Sequence, residues 1–171
     1  MSKSTETPTT RSASTSDAIA LLTHDHKEVD ALFKKYAKLV GKDSSGDERQ
    51  PLAEQICMLL TVHAAIEEEI FYPAARAADV EADLMDEADV EHASVKDLIN
   101  QIRGMDPDDQ HYDAKVTVLD EYVTHHVKEE QDEMFPKCRK SGMDLKGLGV
   151  QIASRKRELM REMSEGQVAT D

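Results

Sequence analysis

The sequence reads HAAIEEEIFYP at 63–73 and HVKEEQDEMFP at 126–136. Both copies run His-x-x-x-Glu and close on an aromatic-Pro pair, the proline falling ten residues after the histidine. Residues four apart share a face of an α-helix, so each copy aims an imidazole and a carboxylate at the same point. One such pair is commonplace on a solvated helix. Two in matching context make the repeat the feature by which the rest of the chain is read.

The 171 residues around it suit one domain, long enough to bury a core without disulfides. Aromatics are 4% of the chain, Trp is absent and 33% of residues are charged, which favours long amphipathic helices over a β-sandwich. The net charge of −14 argues against nucleic acid and against anionic membranes as partners. No apolar run approaches the ~18 residues of a membrane span. Cys57 and Cys138 are too few for a disulfide framework and are expected as reduced thiols of a cytoplasmic protein, Cys57 semi-buried. Residues 1–16, rich in Ser and Thr without an apolar signal region, are expected to form a disordered leader.

From Asp17 onward apolar residues recur at spacings of three and four. Ile19, Leu22, His26, Val29, Phe33, Tyr36 and Val40 make the first seam, with Ser16 or Asp17 as N-cap. A polar loop follows over 41–50, and Pro51 suits the first turn of a second helix carrying Leu52, Ile56, Leu59, His63, Ile66 or Glu67, and Ile70. Pro73 is expected to kink or close it. A third helix is predicted over 79–103, with Leu84, Ala88, His92, Val95, Ile99 and Ile102 inward and Gly104 as its stop. Asp106-Pro107 would open the fourth, whose seam is Tyr112, Val116, Leu119, Val123, His126, Glu130 and Met134, ending at Ser141-Gly142. A shorter fifth helix is predicted over about 144–163. The fold class is therefore all-α: an up-down-up-down four-helix bundle over 17–142, then a C-terminal helix and tail over 143–171. That last helix is expected to pack across the bundle or to serve as a contact for a protein partner or a homodimer.

Each of the four helices carries one histidine at a seam position. DHKEVDAL at 25–32 also matches EHASVKDL at 91–98, both placing an acid before the histidine and apolar residues three and six after it. The domain thus reads as two helical hairpins of one design, each giving a histidine from its first helix and His-x-x-x-Glu from its second.

Four imidazoles and two carboxylates converging in a core are costly to bury alone, and metal resolves the cost. Six ligands exceed one tetrahedral zinc site. They suit two first-row ions, each held by two of His26, His63, His92 and His126, with Glu67 and Glu130 bridging and positions left for a bridging oxygen and an outside ligand. Mixed N/O donors with open positions favour two irons first and manganese second. His125-x-x-x-Glu129 has the same spacing as His126-x-x-x-Glu130, but only the latter lies in line with Leu119, Val123 and Met134. His24, His111 and His125 are then surface residues, and Glu68, Glu69 and Glu129 solvated or supporting. Tyr122, one turn before His126, reads either as core packing or as a phenolate ligand to one iron. The Glu-x-x-His pattern of ferritin-like di-iron bundles is absent; Asp89-x-x-His92 is the nearest approach and is unrepeated.

Over residues 17–140 this set of positions resembles the hemerythrin-like, or HHE cation-binding, domain. The resemblance implies a four-helix bundle around a non-haem di-iron centre reactive toward O2, peroxide or NO, with His26, His63 and Glu67 matching one half-site and His92, His126 and Glu130 the other. Two positions depart from the oxygen carriers of the family. Lys96 stands where His-x-x-x-His would place a fifth histidine, and Gln131 where His-x-x-x-x-Asp would place an aspartate. These departures weigh against simple O2 carriage. Three functions stay open: a sensor or stress protein binding a diatomic or peroxide, a catalase-like peroxide-decomposing enzyme, and a metal-buffering or interaction module with a structural metal centre.

Overall fold

A computed structural model describes residues 16–168. It contains the helices α1 (Ala18–Gly41), α2 (Gly46–Ile66), α3 (Tyr72–Ala77), α4 (Ala82–Arg103), α5 (Tyr112–Glu129), α6 (Phe135–Lys140) and α7 (Leu145–Val168). Two π-helical segments, Glu67–Phe71 and Glu130–Met134, join α2 to α3 and α5 to α6. The described residues contain no strand. In the bundle, α1 packs against α2 and α5, and α4 against α5 and α2, which is the closed ring of neighbours that an up-down-up-down bundle requires. The leader expected over 1–16 lies outside the described residues, apart from Ser16.

Local chemistry accounts for most boundaries. Asp17 caps α1 by accepting the Ala20 N–H at 2.8 Å. The second helix begins at Gly46, not at Pro51. Glu48 reaches back to accept the Ser45 N–H at 3.0 Å, so the Ser-x-x-Glu spacing starts the helix five residues ahead of the proline. The fourth bundle helix begins at Tyr112, not at Asp106-Pro107. Asp106 and Asp109 instead fold the segment into turns by accepting the Asp108 and His111 N–H groups. α4 starts at Ala82 rather than 79, because Asp79 takes a left-handed turn with φ 55°. Gly142, at φ 79°, separates α6 from α7.

Pro73 and Pro136 do not end their helices. In both copies the chain widens to i→i+5 bonding, Tyr72 N–H to Glu67 O and Phe135 N–H to Glu130 O, before α-helix resumes. A proline ring presses on the carbonyl four residues back, and the widened turn ahead of it relieves that contact.

The apolar core is split in two. Val29, Phe33, Ile56, Ile99, Val116 and Leu119 belong to one cluster, and Ile19, Leu22, Ile66, Phe71, Met134 and Ile152 to the other. α7 lies along α1 and α2, and its Ile152 is buried in the second cluster, so the last helix belongs to the bundle. Buried polar groups lie between the clusters.

Candidate metal centre

His26, His63, Glu67, His92, His126 and Glu130 are all buried and all meet in that layer. The i,i+4 spacing does what the sequence implied: His63 Nε2 lies 3.0 Å from Glu67 Oε1, and His126 Nε2 3.7 Å from Glu130 Oε2. Each carboxylate also crosses to the other hairpin. Glu67 Oε2 lies 3.3 Å from His92 Nε2, and Glu130 Oε2 3.2 Å from His26 Nε2. The π-helical segments begin at these two glutamates, so the widened turns shape the backbone at the site itself.

The histidines meet in pairs, with Nε2 of His26 and His63 3.0 Å apart and Nε2 of His92 and His126 3.1 Å apart. Their other nitrogens face polar partners. Asp25 lies 3.4 Å from Nδ1 of His63, Glu68 2.9 Å from Nδ1 of His92, and Glu91 2.7 Å from Nδ1 of His126. A carboxylate at Nδ1 holds a proton there and turns a bare lone pair at Nε2 inward. In the His92–His126 pair, where both Nδ1 atoms face a carboxylate, two such lone pairs would oppose each other at 3.1 Å unless a cation, metal ion or proton, lies between them. Glu67 Oε1 and Glu130 Oε2 are likewise buried without a hydrogen bond, despite their nearness to ring nitrogens. Orphaned carboxylate oxygens and converging imidazoles are the donor set of a cation site.

Electrostatics agree. Burial opposes charge on His63, but Glu67 and Asp25 outweigh it and raise the pKa to about 10. Burial also opposes charge on His126, which Glu91 and Glu130 reverse, raising its pKa to about 9. Glu67 is held well below the usual carboxylate range, its desolvation overcome by His63 and His92. The pocket is built to hold positive charge.

The two departures from the oxygen-carrier pattern serve as outer supports. Lys96 Nζ lies 2.7 Å from both oxygens of Glu68, the carboxylate that faces His92. The Gln131 amide lies 3.1 Å from Nδ1 of His26. His24, His111 and His125 are exposed, as expected.

Tyr122 is not at the site. It is 47% exposed and lines an outer groove with Val90, Ser94 and His125. A single turn of helix from Tyr122 to His126 carries the tyrosine past the seam, onto the flank where α5 meets solvent. The tyrosine in the centre is Tyr72, which the sequence reading passed over. Its hydroxyl donates to Glu130 at 2.9 Å and Glu67 at 3.3 Å, and lies 3.4 Å from Nε2 of both His92 and His126. Burial and the two carboxylates push its pKa well above 10. A signal was present: the repeat ends Tyr72-Pro73 in one copy and Phe135-Pro136 in the other, so a hydroxyl enters from one side only. Phe135 stacks on His26 with ring centroids 5.9 Å apart, while Tyr72 lies tilted against His92 at 5.6 Å.

Comparison with known proteins agrees with this geometry. Residues 17–138 match the model of the hemerythrin HHE cation binding domain. A hemerythrin HHE cation binding domain-containing protein of Mycobacterium kansasii shares the fold, with a TM-score of 0.74 over 91% of this chain and 94% of that one at 23% identity. A DNA nickase of Nostoc sp. is 30% identical over 115 residues, 67% of this chain but only 31% of that protein's length. By its matched residues and by the buried His and Glu clusters they supply, the chain belongs to the hemerythrin HHE cation-binding domain family and is a metal-binding domain.

Proposed function

We propose that the chain is a non-haem di-iron protein that binds or reacts with O2, peroxide or NO, in sensing or in the response to oxidative or nitrosative stress. The opposition of Nε2 atoms in two pairs, with Glu67 and Glu130 reaching across both, carries this reading. His26 and His63 would hold one ion and His92 and His126 the other, the two glutamates shared. The N/O donor set suits iron first and manganese second. Glu130 lies farther from the His92–His126 pair, 3.7 Å from His126 Nε2 against 3.2 Å from His26 Nε2, and the Tyr72 hydroxyl is the group positioned to supplement that side. When bound, the irons supply redox change and open positions for a small ligand.

The chain's own residues do the rest. Asp25, Glu68 and Glu91 orient three imidazoles. Val29, Leu60, Val95 and Val123 surround a cavity of about 30 Å³ beside the four histidines. A water needs on the order of 10–15 Å³ by this measure, so the chamber suits a ligand of two or three heavy atoms. His26, Val123 and Val127 separate it from an open groove of about 410 Å³ between α1 and α5, the approach for such a ligand.

Catalase-like peroxide decomposition is a second reading, favoured by the His92–His126 side, from which Glu130 lies farther. Elemental analysis of protein purified without added metal, followed by addition of peroxide to the reduced form, tests both. Two irons per chain and a single stoichiometric oxidation support sensing; release of many equivalents of O2 supports the enzyme. Zinc, or an inert reduced form, removes both. The nickase's activity is not carried over, because the match spans under a third of that protein and this chain's charge is −14.

A further inference from the structure

The register excluded from the buried centre, His125-x-x-x-Glu129, forms a cluster of its own on the surface. His125 Nε2 lies 3.1 Å from Glu129 Oε1 and 3.5 Å from Glu91 Oε1. One ligand atom from each of the three residues falls within 4.8 Å of the others. His125 and Glu129 come from successive turns of α5, and Glu91 crosses from α4, so the hairpin's packing brings the donors together.

Three further observations separate this cluster from an ordinary solvated patch. Glu91 is fixed in place, because its Oε2 lies 2.7 Å from Nδ1 of His126 and its Oε1 is turned toward His125. Among the described residues, neither Glu91 nor Glu129 forms an ion pair with a lysine or arginine; histidines are their charged partners. Glu87 lines the same groove and adds to a negative field that attracts cations, while Asp86 beside it is paired with Arg76 at 2.8 Å. Grooves of about 320 and 490 Å³ open on the cluster, leaving room for water to fill the remaining coordination positions.

We propose that Glu91, His125 and Glu129 form a solvent-accessible site for a divalent first-row cation, distinct from the buried centre and joined to it by the Glu91 carboxylate. One imidazole and two carboxylates suit Mn²⁺, Fe²⁺ or Zn²⁺ better than Mg²⁺ or Ca²⁺, which take oxygen alone. Three protein donors on an exposed face make the site exchangeable. A cation on Glu91 Oε1 withdraws charge from the oxygen that faces His126, so the two sites sense one another's occupancy, and by linkage the effect is reciprocal.

Mn²⁺ titration of the protein as purified with its own metal, read by loss of the free-ion paramagnetic resonance signal, tests the proposal. His125→Ala and Glu129→Gln are titrated beside it, with iron content measured in all three. The expected result is one more Mn²⁺ bound by the wild type than by His125→Ala, weakened binding in Glu129→Gln, and unchanged iron. Equal binding in wild type and both variants, or none in any, overturns it. Because the difference between proteins is what is read, the outcome is independent of how many irons the buried centre holds.

Discussion

Lys156, in the last helix, places its ammonium 2.5 Å from the Asp25 carboxylate of the first helix, and Asp25 in turn faces Nδ1 of His63. The C-terminal helix therefore acts on the centre. Burial raises the pKa of Asp25, but His63 and Lys156 together bring it below the ordinary aspartate value, so it stands as a charged partner for the imidazole. Supports of this kind are worth about 10–100-fold in metal affinity. Asp25→Asn is expected to weaken metal retention within that range and Lys156→Met less, in competition against a chelator. Equal retention in both variants and the wild type would show that this contact is incidental.

Tyr72 and Tyr122 make a matched pair of controls. With iron bound, Tyr72→Phe is expected to change the visible absorption of the centre, because its hydroxyl is the one near His92 and His126. Tyr122→Phe, exposed on the outer flank of α5, is expected to leave the spectrum as it is. A spectrum sensitive to Tyr122 and blind to Tyr72 would contradict this placement.

Val123 stands between the inner cavity and the outer groove. Val123→Phe is expected to slow reaction with peroxide while leaving metal content unchanged, measured by stopped-flow mixing against iron analysis. Loss of metal instead would mean that Val123 is needed for the packing of the site.

α7 closes tightly on the start of α1. A Cβ on Gly149 would lie 2.4 Å from the Ser16 carbonyl oxygen and 3.0 Å from the Asp17 carbonyl carbon, both backbone atoms. Gly149→Ala is expected to cost about 1–3 kcal/mol through overpacking. Ile152→Ala, which empties a buried site, is expected to cost about 2–5 kcal/mol. Denaturant unfolding measures both. Wild-type midpoints would return the helix to the role of a loose appendage.

Cys57 and Cys138 are both buried free thiols. Burial pushes the Cys57 pKa up to about 12 and the Cys138 pKa up to about 11. Neither is expected to react with an alkylating reagent near pH 8 until the chain unfolds, as mass spectrometry would record. From about pH 9 upward the unfolded chain releases thiol protons that the folded chain retains. These groups therefore contribute a loss of stability as pH rises.

The sequence by itself determined most of the four seams, the hairpin repeat and the six buried His and Glu side chains, because burial of a helix face and the i,i+4 register are local consequences of 3.6 residues per turn. Val40, at the end of the first seam, is 37% exposed. It also separated His126 from His125, since one residue along the helix turns a side chain by about 100°. Helix starts were less legible: Pro51 and Pro107 look like openings, yet Glu48 and the Asp106 and Asp109 turns set the boundaries. The repeat shows a tyrosine at 72 where its second copy has Phe135, but tertiary structure decided that this tyrosine, and not Tyr122, reaches the centre. The π-helical turns after Glu67 and Glu130 shift the register of everything beyond them, so a wheel drawn at constant pitch cannot bring Tyr72 inward. It also decided that Lys156, 131 residues from Asp25, supports a histidine in another helix, a contact that depends on packing geometry and leaves no periodic trace.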